Sequence, residues 1–279
     1  MARIGNNPNK SMHKVEIPSV VAGVITYLPS MNGYHGKRLE VVKTSLLSMR
    51  ENAGTKCSIM VWDNGSCKEL IDWLQNEYKP DTLILSKNVG KNNAKTAMAR
   101  MLRSETILGI ADDDIYYYPG WLKESIKLLV GFPNVGVVSA YPVTTQFRWG
   151  CENTKKWAYE NGKVLEGKLI PEQWSKDFCS SVGREYKALK EHEYAVEYKG
   201  MKAYLTAHHC QFIGYSGILQ RFPDWREYAL NPESPFDKAI DNAGYLRLTT
   251  FDRLSRHIGN VIDEDIKLDW NSRHTGGGY

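Results

Sequence analysis

The sequence lacks several features that would assign it to a specialised class of protein. Its five cysteines are widely spaced and include no Cys-x-x-Cys pair, so we expect neither a disulfide framework nor a cysteine-based zinc site. The longest mostly apolar stretch, 126–143, is interrupted by Lys127, Pro133 and Pro142, so no transmembrane segment is expected. The N-terminal segment 1–14 contains no apolar region of the kind found in secretory signals. Together these absences predict a cytoplasmic protein.

The chain also has little excess charge of either sign. Its 36 Lys and Arg residues stand against 32 Asp and Glu residues, and the net charge of +4 is small for a dedicated nucleic-acid binder. Apolar residues make up 42% and charged residues 24% of the sequence, which excludes disorder for most of the chain. A chain of 279 residues can therefore form one compact domain with a substantial core.

Two common catalytic motifs are incomplete. The segment Asn88–Ala94 resembles a phosphate-binding loop, but Leu85 occupies the position of its first glycine, and Asn92 follows Lys91 where Ser or Thr is required. The segment 214–217 is one residue short of a Gly-x-Ser-x-Gly nucleophile elbow. These departures exclude a P-loop nucleotidase and leave a serine hydrolase unsupported. Lys91 can still contact a diphosphate near the start of a helix.

Strand-like apolar runs alternate with helical stripes over the first part of the chain. The pattern predicts strands at 20–27, 58–62, 82–86, 106–111 and 135–140, and helices at 39–53, 68–78, 92–102 and 122–130. Such alternation is typical of β-α-β units with a parallel sheet, in which ligands bind beyond the carboxyl ends of the strands. We therefore expect Tyr27, Asp63, Asn88 and Asp112 to lie at one binding edge. Between residues 145 and 200 the apolar residues show neither a helical nor a strand-like spacing.

Three adjacent carboxylates follow the fourth predicted strand. If the segment is extended, Asp112 and Asp114 share a face and Asp113 points away. Because like charges repel unless a cation lies between them, Asp112 and Asp114 are candidate ligands of Mg²⁺ or Mn²⁺. His257 is a candidate further ligand, since neutral imidazole commonly binds metals. The alternative is an acidic turn that caps the following helix.

Several motifs occur together in an order that resembles nucleotide-sugar glycosyltransferases of the GT-A fold, close to family 2. The motifs are WDNGS at 62–66, ADDDI at 111–115, Pro119-Gly120-Trp121, DKAIDNAGYLRL at 237–248 and HIGN at 257–260. The resemblance implies an α/β fold with a Rossmann-like, mostly parallel sheet flanked by helices and an acceptor-side subdomain. It divides the chain into a flexible tail (1–16), a nucleotide-sugar-binding half (17–143), an acceptor-binding and catalytic half of the same domain (144–265) and a C-terminal tail (266–279).

The resemblance also implies roles for individual residues. The residues expected to bind the nucleotide sugar are Thr26, Tyr27, Asp63, Asn88, Lys91, Asn93, Asp112 and Asp113. The expected ligands of Mn²⁺ or Mg²⁺ are Asp112, Asp114 and His257. The family's usual Glu-Asp motif for the catalytic base is not intact, because Phe236-Asp237 stands where it is expected. Asp237 is therefore the candidate base, with Asp241 as the alternative.

The function implied is metal-dependent transfer of a sugar from a nucleotide-diphosphate sugar to a hydroxyl acceptor, either a saccharide or a small molecule. A second possibility is that the acceptor is a hydroxymethylated pyrimidine base in DNA, which the lysine-rich segment 155–190 motivates. A third is a non-catalytic protein that binds nucleotide sugars. Intact Asp112, Asp114 and His257 argue against the third possibility.

Overall fold

A computed structural model describes residues 19–148, 150–187, 192–221 and 233–274 of the chain. The tail predicted at 1–16 and the last residues, 275–279, lie outside the described residues. Within the described ranges, no helix has the length and apolar character needed to cross a membrane.

The strands alternate with helices along the first half of the chain and follow one another more closely in the second half. The strands are β1 (Val20–Thr26), β2 (Ser58–Asp63), β3 (Thr82–Leu85), β4 (Ile107–Asp112), β5 (Ile115–Tyr117), β6 (Val135–Ser139), β7 (Lys163–Gly167), β8 (Glu193–Tyr198), β9 (Met201–Tyr204), β10 (Gln211–Tyr215), β11 (Leu246–Thr250) and β12 (Ser255–His257).

The helices vary in length from a single turn to fourteen residues. They are α1 (Arg38–Glu51), α2 (Lys68–Trp73), α3 (Lys91–Arg100), α4 (Trp121–Gly131), α5 (Glu152–Asn161), α6 (Glu172–Ser181), α7 (Ser216–Leu219), α8 (Glu233–Asn242) and α9 (Glu264–His274). Helix α2 continues into a π-helical turn, and two short 3-10 turns complete the set; these turns are Leu74–Tyr78, Gly33–His35 and Thr144–Arg148.

One ten-stranded sheet runs through the molecule in the order β3-β2-β1-β4-β10-β6-β11-β9-β8-β7. Strands β3, β2, β1 and β4 are parallel, as is the pair of β6 and β11. Strand β10 is antiparallel to both of its neighbours, β4 and β6, and β9, β8 and β7 extend the sheet in antiparallel fashion. Strands β5 and β12 form a separate antiparallel pair.

The predicted α/β fold with its parallel sheet is confirmed in the first half of the chain. Strand β1 is almost continuously β-branched because helices cover both faces of the sheet. Val24 on one face packs in a cluster with Leu46 of α1, and Val21 on the other face packs in a cluster with Met98 of α3. The carboxyl ends of β1, β2, β3 and β4 consequently lie along one edge, as the sequence predicts.

The prediction of a C-terminal tail from residue 266 is wrong for residues 266–274, which belong to helix α9. Ile266 and Trp270, one helical turn apart, are buried against Tyr116 and Ile258. The rest of the helix is polar except for the exposed Leu268, so only two positions face the core, and that signal is too short to indicate a helix. The packing of α9 supports the β5–β12 pair from behind.

Candidate active site

A cleft of about 960 Å³ opens at the carboxyl ends of the parallel strands. It is bordered by the loops that follow β1, β2, β3 and β4, by the end of β12 and by the end of α6. Its polar lining includes Tyr27, Arg38, Asn64, Asn88, Lys91, Asp112, Asp113, Asp114, Ser181 and His257. The structure therefore brings together most of the residues that the sequence singles out, and it adds Arg38, Asn64 and Ser181.

The three aspartates do not form an extended segment. Strand β4 ends at Asp112, and Asp113 and Asp114 form a turn into β5. The expectation that Asp113 points away from Asp114 is therefore wrong, because the turn directs both side chains to the same partner, Arg38. Asp112 instead contacts Lys91.

Arg38, the first residue of α1, ties the acidic turn to its surroundings. Its guanidinium donates to Asp113, to Asp114 over 2.9 Å and to the carbonyl oxygen of Gly259 over 3.2 Å. Burial opposes the charge of Arg38, but the two carboxylates more than offset this and raise its pKa above the usual value. Burial raises the pKa of Asp113 to about 6, although Arg38 and the amide of Tyr27 act in the opposite direction. Sequence reasoning missed Arg38 because nothing near it in the chain marks it.

Asp112 lies in a different electrostatic environment. Its Oδ2 is 3.1 Å from Lys91 Nζ and its Oδ1 is 4.0 Å from Nζ of the buried Lys95. Burial alone would raise the pKa of Asp112, but the two lysines outweigh it and lower the pKa to about 2. Asp112 is therefore ionised throughout the neutral range.

The acidic turn offers unsatisfied oxygen atoms to a cation. No group of three or more His, Cys, Asp or Glu side chains in the described part of the chain is arranged as a complete metal site. However, Oδ1 of Asp112 and Oδ1 of Asp114 are both buried without a hydrogen-bond partner, and His257 Nε2 lies 3.5 Å from Asp114 Oδ1. Mg²⁺ is commonly held by one or two carboxylates, with waters and substrate phosphates as its other ligands. These residues fit such an ion.

Thr26 and Asp63, two of the predicted nucleotide-binding residues, use their side chains in hydrogen bonds within the protein. Thr26 Oγ1 donates to Asp63 Oδ2 over 3.0 Å, and Asp63 Oδ1 accepts the amides of Gly65 and Ser66. Thr26 and Asp63 are both buried, and neither is part of the cleft lining. Their contacts shape the turn after β2, whereas Tyr27, with 40% of its surface exposed, faces the cleft.

The loop after β3 is held in place by asparagine side chains. Asn64 Nδ2 donates to Asn88 Oδ1 over 3.1 Å, and Asn64 Oδ1 accepts the amide of Val89 over 2.9 Å. Asn93 Nδ2 donates to the carbonyl oxygen of Val89 over 2.6 Å. Asn88 and Lys91 line the cleft, while Asn93 supports the loop from behind.

Asp237, the candidate base, is buried and lies outside the cleft lining. Its Oδ1 is 2.7 Å from Arg247 Nη2, and its Oδ2 is 3.2 Å from Nδ1 of His209. His209 is also outside the cleft lining, but its side chain keeps 22% of its surface exposed and is near enough to Asp112 to help lower the pKa of that carboxyl. The sequence does not single out His209, because its place depends on contact with Asp237, which is distant in the chain.

Asp241, the alternative base, caps the N-terminus of helix α5. Its two carboxylate oxygens accept the amides of Asn153 and Thr154 over 2.9 and 3.0 Å and the Thr154 hydroxyl over 2.8 Å. These donors lie in the first turn of α5, where backbone amides lack partners within the helix. Asp241 is 1% exposed and is not part of the cleft lining.

Comparison with known families agrees with this arrangement. The sequence model of "Glycosyl transferase family 2" matches residues 29–192, which is more than half of the chain. The chain belongs to glycosyl transferase family 2. The matched range contains Arg38 and the three aspartates of the cleft, whereas His209, Asp237 and His257 lie outside it. A comparison with curated proteins found no match.

Solved structures are similar to this family 2 chain over much of its length. One is the mannosyltransferase PcManGT from Pyrobaculum calidifontis in complex with GDP-Man and Mn²⁺, with a TM-score of 0.50 and 18% identity over 85% of this chain and 56% of that one. Another is GalNAc-T7 with UDP, GalNAc and Mn²⁺, with a TM-score of 0.48 and 9% identity over 88% of this chain and 44% of that one. The chain thus spans about half the length of each.

Proposed function

We propose that the protein transfers a sugar from a nucleotide-diphosphate sugar to the hydroxyl group of a saccharide or small-molecule acceptor, with the help of Mn²⁺ or Mg²⁺. The observation that carries the proposal is the pair of buried oxygens on Asp112 and Asp114 that accept no hydrogen bond, in the cleft of a family 2 protein. The presence of a nucleotide sugar and Mn²⁺ in PcManGT, which shares the fold, supports it.

The donor nucleotide would occupy the side of the cleft next to β1, β2 and β3. Tyr27 presents an exposed ring that can pack against a base or ribose, and Asn64 and Asn88 present amide groups on neighbouring loops. Lys91, at the start of α3, provides a cation close to Asp112 for a diphosphate. Thr26, Asp63 and Asn93 would act indirectly, by holding the loops that carry these groups.

The residues that would hold the divalent cation are Asp112, Asp114 and His257. When bound, such a cation offsets the negative charge that develops on the departing diphosphate. The low pKa of Asp112 keeps that ligand ionised, and the turn at 113–114 brings Asp114 next to His257. Arg38 holds the same turn in place through Asp113 and Asp114.

For the acceptor, we propose that Asp237 works through His209. An aspartate hydrogen-bonded to Nδ1 orients an imidazole and stabilises its protonated form, which suits the imidazole to take a proton from a hydroxyl group. The fully buried Arg247 fixes Asp237 in turn, because it also donates to the carbonyl oxygens of Gly150 and Ala207. Asp237 is then a positioning residue, and Asp241 is a helix cap.

The structure gives no specific support to a DNA acceptor. Three of the lysines of the middle region that motivated this possibility are paired with glutamates: Lys155 with Glu152, Lys163 with Glu197, and Lys176 with Glu172. Pairing of this kind reduces the positive potential that attracts phosphates.

We also propose a reducing, cytoplasmic environment, since all five cysteines are described and each is a free thiol.

A thermal-shift screen of nucleotide sugars, with and without Mn²⁺, tests the proposal. A donor that binds the folded protein raises the melting temperature, and we expect an additional rise when Mn²⁺ is present. Asp114→Asn should abolish the Mn²⁺-dependent part of the shift. It should also abolish the slow hydrolysis of the donor that we expect from the wild-type protein when no acceptor is present. Asp72→Asn is the matched control, because Asp72 is a surface carboxylate paired with Lys68. Unchanged hydrolysis in Asp114→Asn, or no response to any donor, would overturn the proposal.

A further inference from the structure

His257 lies between two elements that belong to different parts of the chain. Its Nδ1 is 2.8 Å from Oγ of Ser181, the last residue of α6. Its Nε2 is 3.5 Å from Oδ1 of Asp114, the buried oxygen that has no hydrogen-bond partner. The ring therefore has one nitrogen committed to a hydroxyl group and the other directed at the acidic turn.

The number of available protons decides which nitrogen of His257 carries the hydrogen. A serine hydroxyl has a single proton to donate. Ser181 Oγ lies 2.8 Å from the carbonyl oxygen of Phe178, which can only accept, so the Ser181 proton is used there. Ser181 Oγ must then accept from His257, and the hydrogen of the neutral imidazole lies on Nδ1. The lone pair of Nε2 is consequently directed towards Asp114.

We propose that Ser181 is a positioning residue for the cation site, because it fixes His257 in the tautomer whose Nε2 can bind a metal. This inference rests on the proposed function and specifies how one ligand of that site is prepared. Two ligands that each lie about 2.1 Å from a shared ion are at most about 4.2 Å apart. The observed 3.5 Å between Nε2 and Asp114 Oδ1 is within that limit.

The packing around Ser181 shows that this hydrogen bond is built into the fold. A Cβ atom placed on Gly259 would lie 2.1 Å from the carbonyl oxygen of Ser181, so the end of α6 is tightly packed against the segment after β12. The Phe178 ring also meets the His257 ring edge-on, with 6.3 Å between the ring centroids. The end of α6 is thereby held at the distance from which Ser181 can accept the hydrogen bond.

The test uses the metal alone as the probe. Outer partners of metal-binding histidines typically change metal affinity by about 10–100-fold, so we expect Ser181→Ala to weaken Mn²⁺ binding by this factor in calorimetry or electron paramagnetic resonance. Ser181→Thr retains the hydroxyl group and should restore most of the affinity. Cys179→Ala is the matched control, since it shortens a side chain of the same helix that is not part of the cleft lining.

A second measurement reports the tautomer directly and needs no metal. In ¹⁵N spectra of the histidine rings, we expect wild-type His257 to show the Nδ1–H tautomer, and Ser181→Ala to show a mixture. An Nε2–H tautomer in the wild type, or equal Mn²⁺ affinity in the wild type and Ser181→Ala, would overturn the inference and leave the proposed function standing. A wild-type protein that binds no Mn²⁺ would overturn both the inference and the metal dependence.

Discussion

Arg38 and Asp114 meet in the wall of the cleft, where Nη1 of the arginine donates to Oδ2 of the aspartate over 2.9 Å. The same guanidinium also binds Asp113 and the carbonyl oxygen of Gly259. Arg38 begins α1, the aspartates lie between β4 and β5, and Gly259 follows β12. One buried cation therefore holds together three segments that are distant in sequence.

We predict that Arg38→Met lowers the free energy of unfolding by about 3–5 kcal/mol, because removal of one partner leaves buried carboxylates without their counterion. Mn²⁺ should recover part of this loss, since it supplies positive charge at the same carboxylates and binds only the folded state. Chemical denaturation with and without Mn²⁺ measures both effects. Arg50→Met is the control, because Arg50 binds the carbonyl oxygens of Tyr78 and Lys79 and the Tyr78 ring, and no ion pair with a carboxylate is found for it among the described residues. Equal Mn²⁺ stabilisation of the two variants would contradict the prediction.

A second prediction distinguishes the proposed base pair, His209 with Asp237, from the alternative base, Asp241. His209→Gln should lower kcat by about 10²–10⁴-fold with little change in donor affinity, because it removes the proposed base and leaves the nucleotide side of the cleft intact. Asp241→Ala should instead lower the free energy of unfolding by about 0.5–2 kcal/mol, because it removes the cap of α5, and should leave kcat within a few fold. Steady-state kinetics and denaturation of both variants check this. The assignment fails if Asp241→Ala loses activity while its stability is unchanged.

Stability should fall in mild acid because of His208. Burial lowers the pKa of His208 well below its usual value, and its Nδ1 accepts the amide of Cys210 over 3.1 Å, so it is neutral in the folded state. In the unfolded chain His208 takes up a proton below about pH 6.5, so the unfolded state binds more protons as the pH falls and stability is lost from that point downwards. The His208→Asn variant keeps a hydrogen-bond acceptor for the amide of Cys210, but its side chain takes up no proton in this pH range. Denaturation at pH 7.5, 6.5 and 5.5 should show a smaller loss in the variant; equal losses would refute the assignment.

Gly259 should tolerate no side chain. Its φ of +77° disfavours any other residue, and an added Cβ would collide with the carbonyl oxygen of Ser181. Gly200 has the same φ of +77° but no atom within 4 Å of an added Cβ, so it isolates the backbone effect. We expect Gly200→Ala to cost about 1–2 kcal/mol of unfolding free energy, and Gly259→Ala to cost about 1–3 kcal/mol more. Thermal denaturation of both variants measures the difference, and equal costs would contradict the close packing.

The sequence predicts the first half of the fold well because the signals there are local. A β-branched run such as Val20–Tyr27 indicates a buried strand by itself, and the parallel alternation then places Tyr27, Asn88 and Asp112 at one edge. Strands β7 and β8, which lie between residues 145 and 200, gave no such signal. Strand β8 begins with Glu193, a buried carboxylate that binds the amides of Leu169 and Ile170, so a charged residue stands at an inward position and breaks the expected pattern.

The partners of the site residues could not be predicted, because they depend on contacts between distant parts of the chain. Neither the pairing of Arg38 with the acidic turn nor the capping of α5 by Asp241 leaves a mark in the neighbouring sequence. The run of three aspartates is evident in the sequence, but its conformation is not. Whether residues 112–114 are extended or form a turn depends on the pairing of β5 with β12.

The position of β10 has a consequence for the synthesis of the protein. Strand β10 separates β4 from β6, although β6 is made long before β10. The strands of the nucleotide side can pair as they leave the ribosome, but one edge of β4 has no partner until Gln211–Tyr215 has emerged. An unpaired strand edge invites association with other chains. The nascent protein is therefore most exposed to aggregation, and most dependent on chaperones, while the segment between β6 and β10 is being translated.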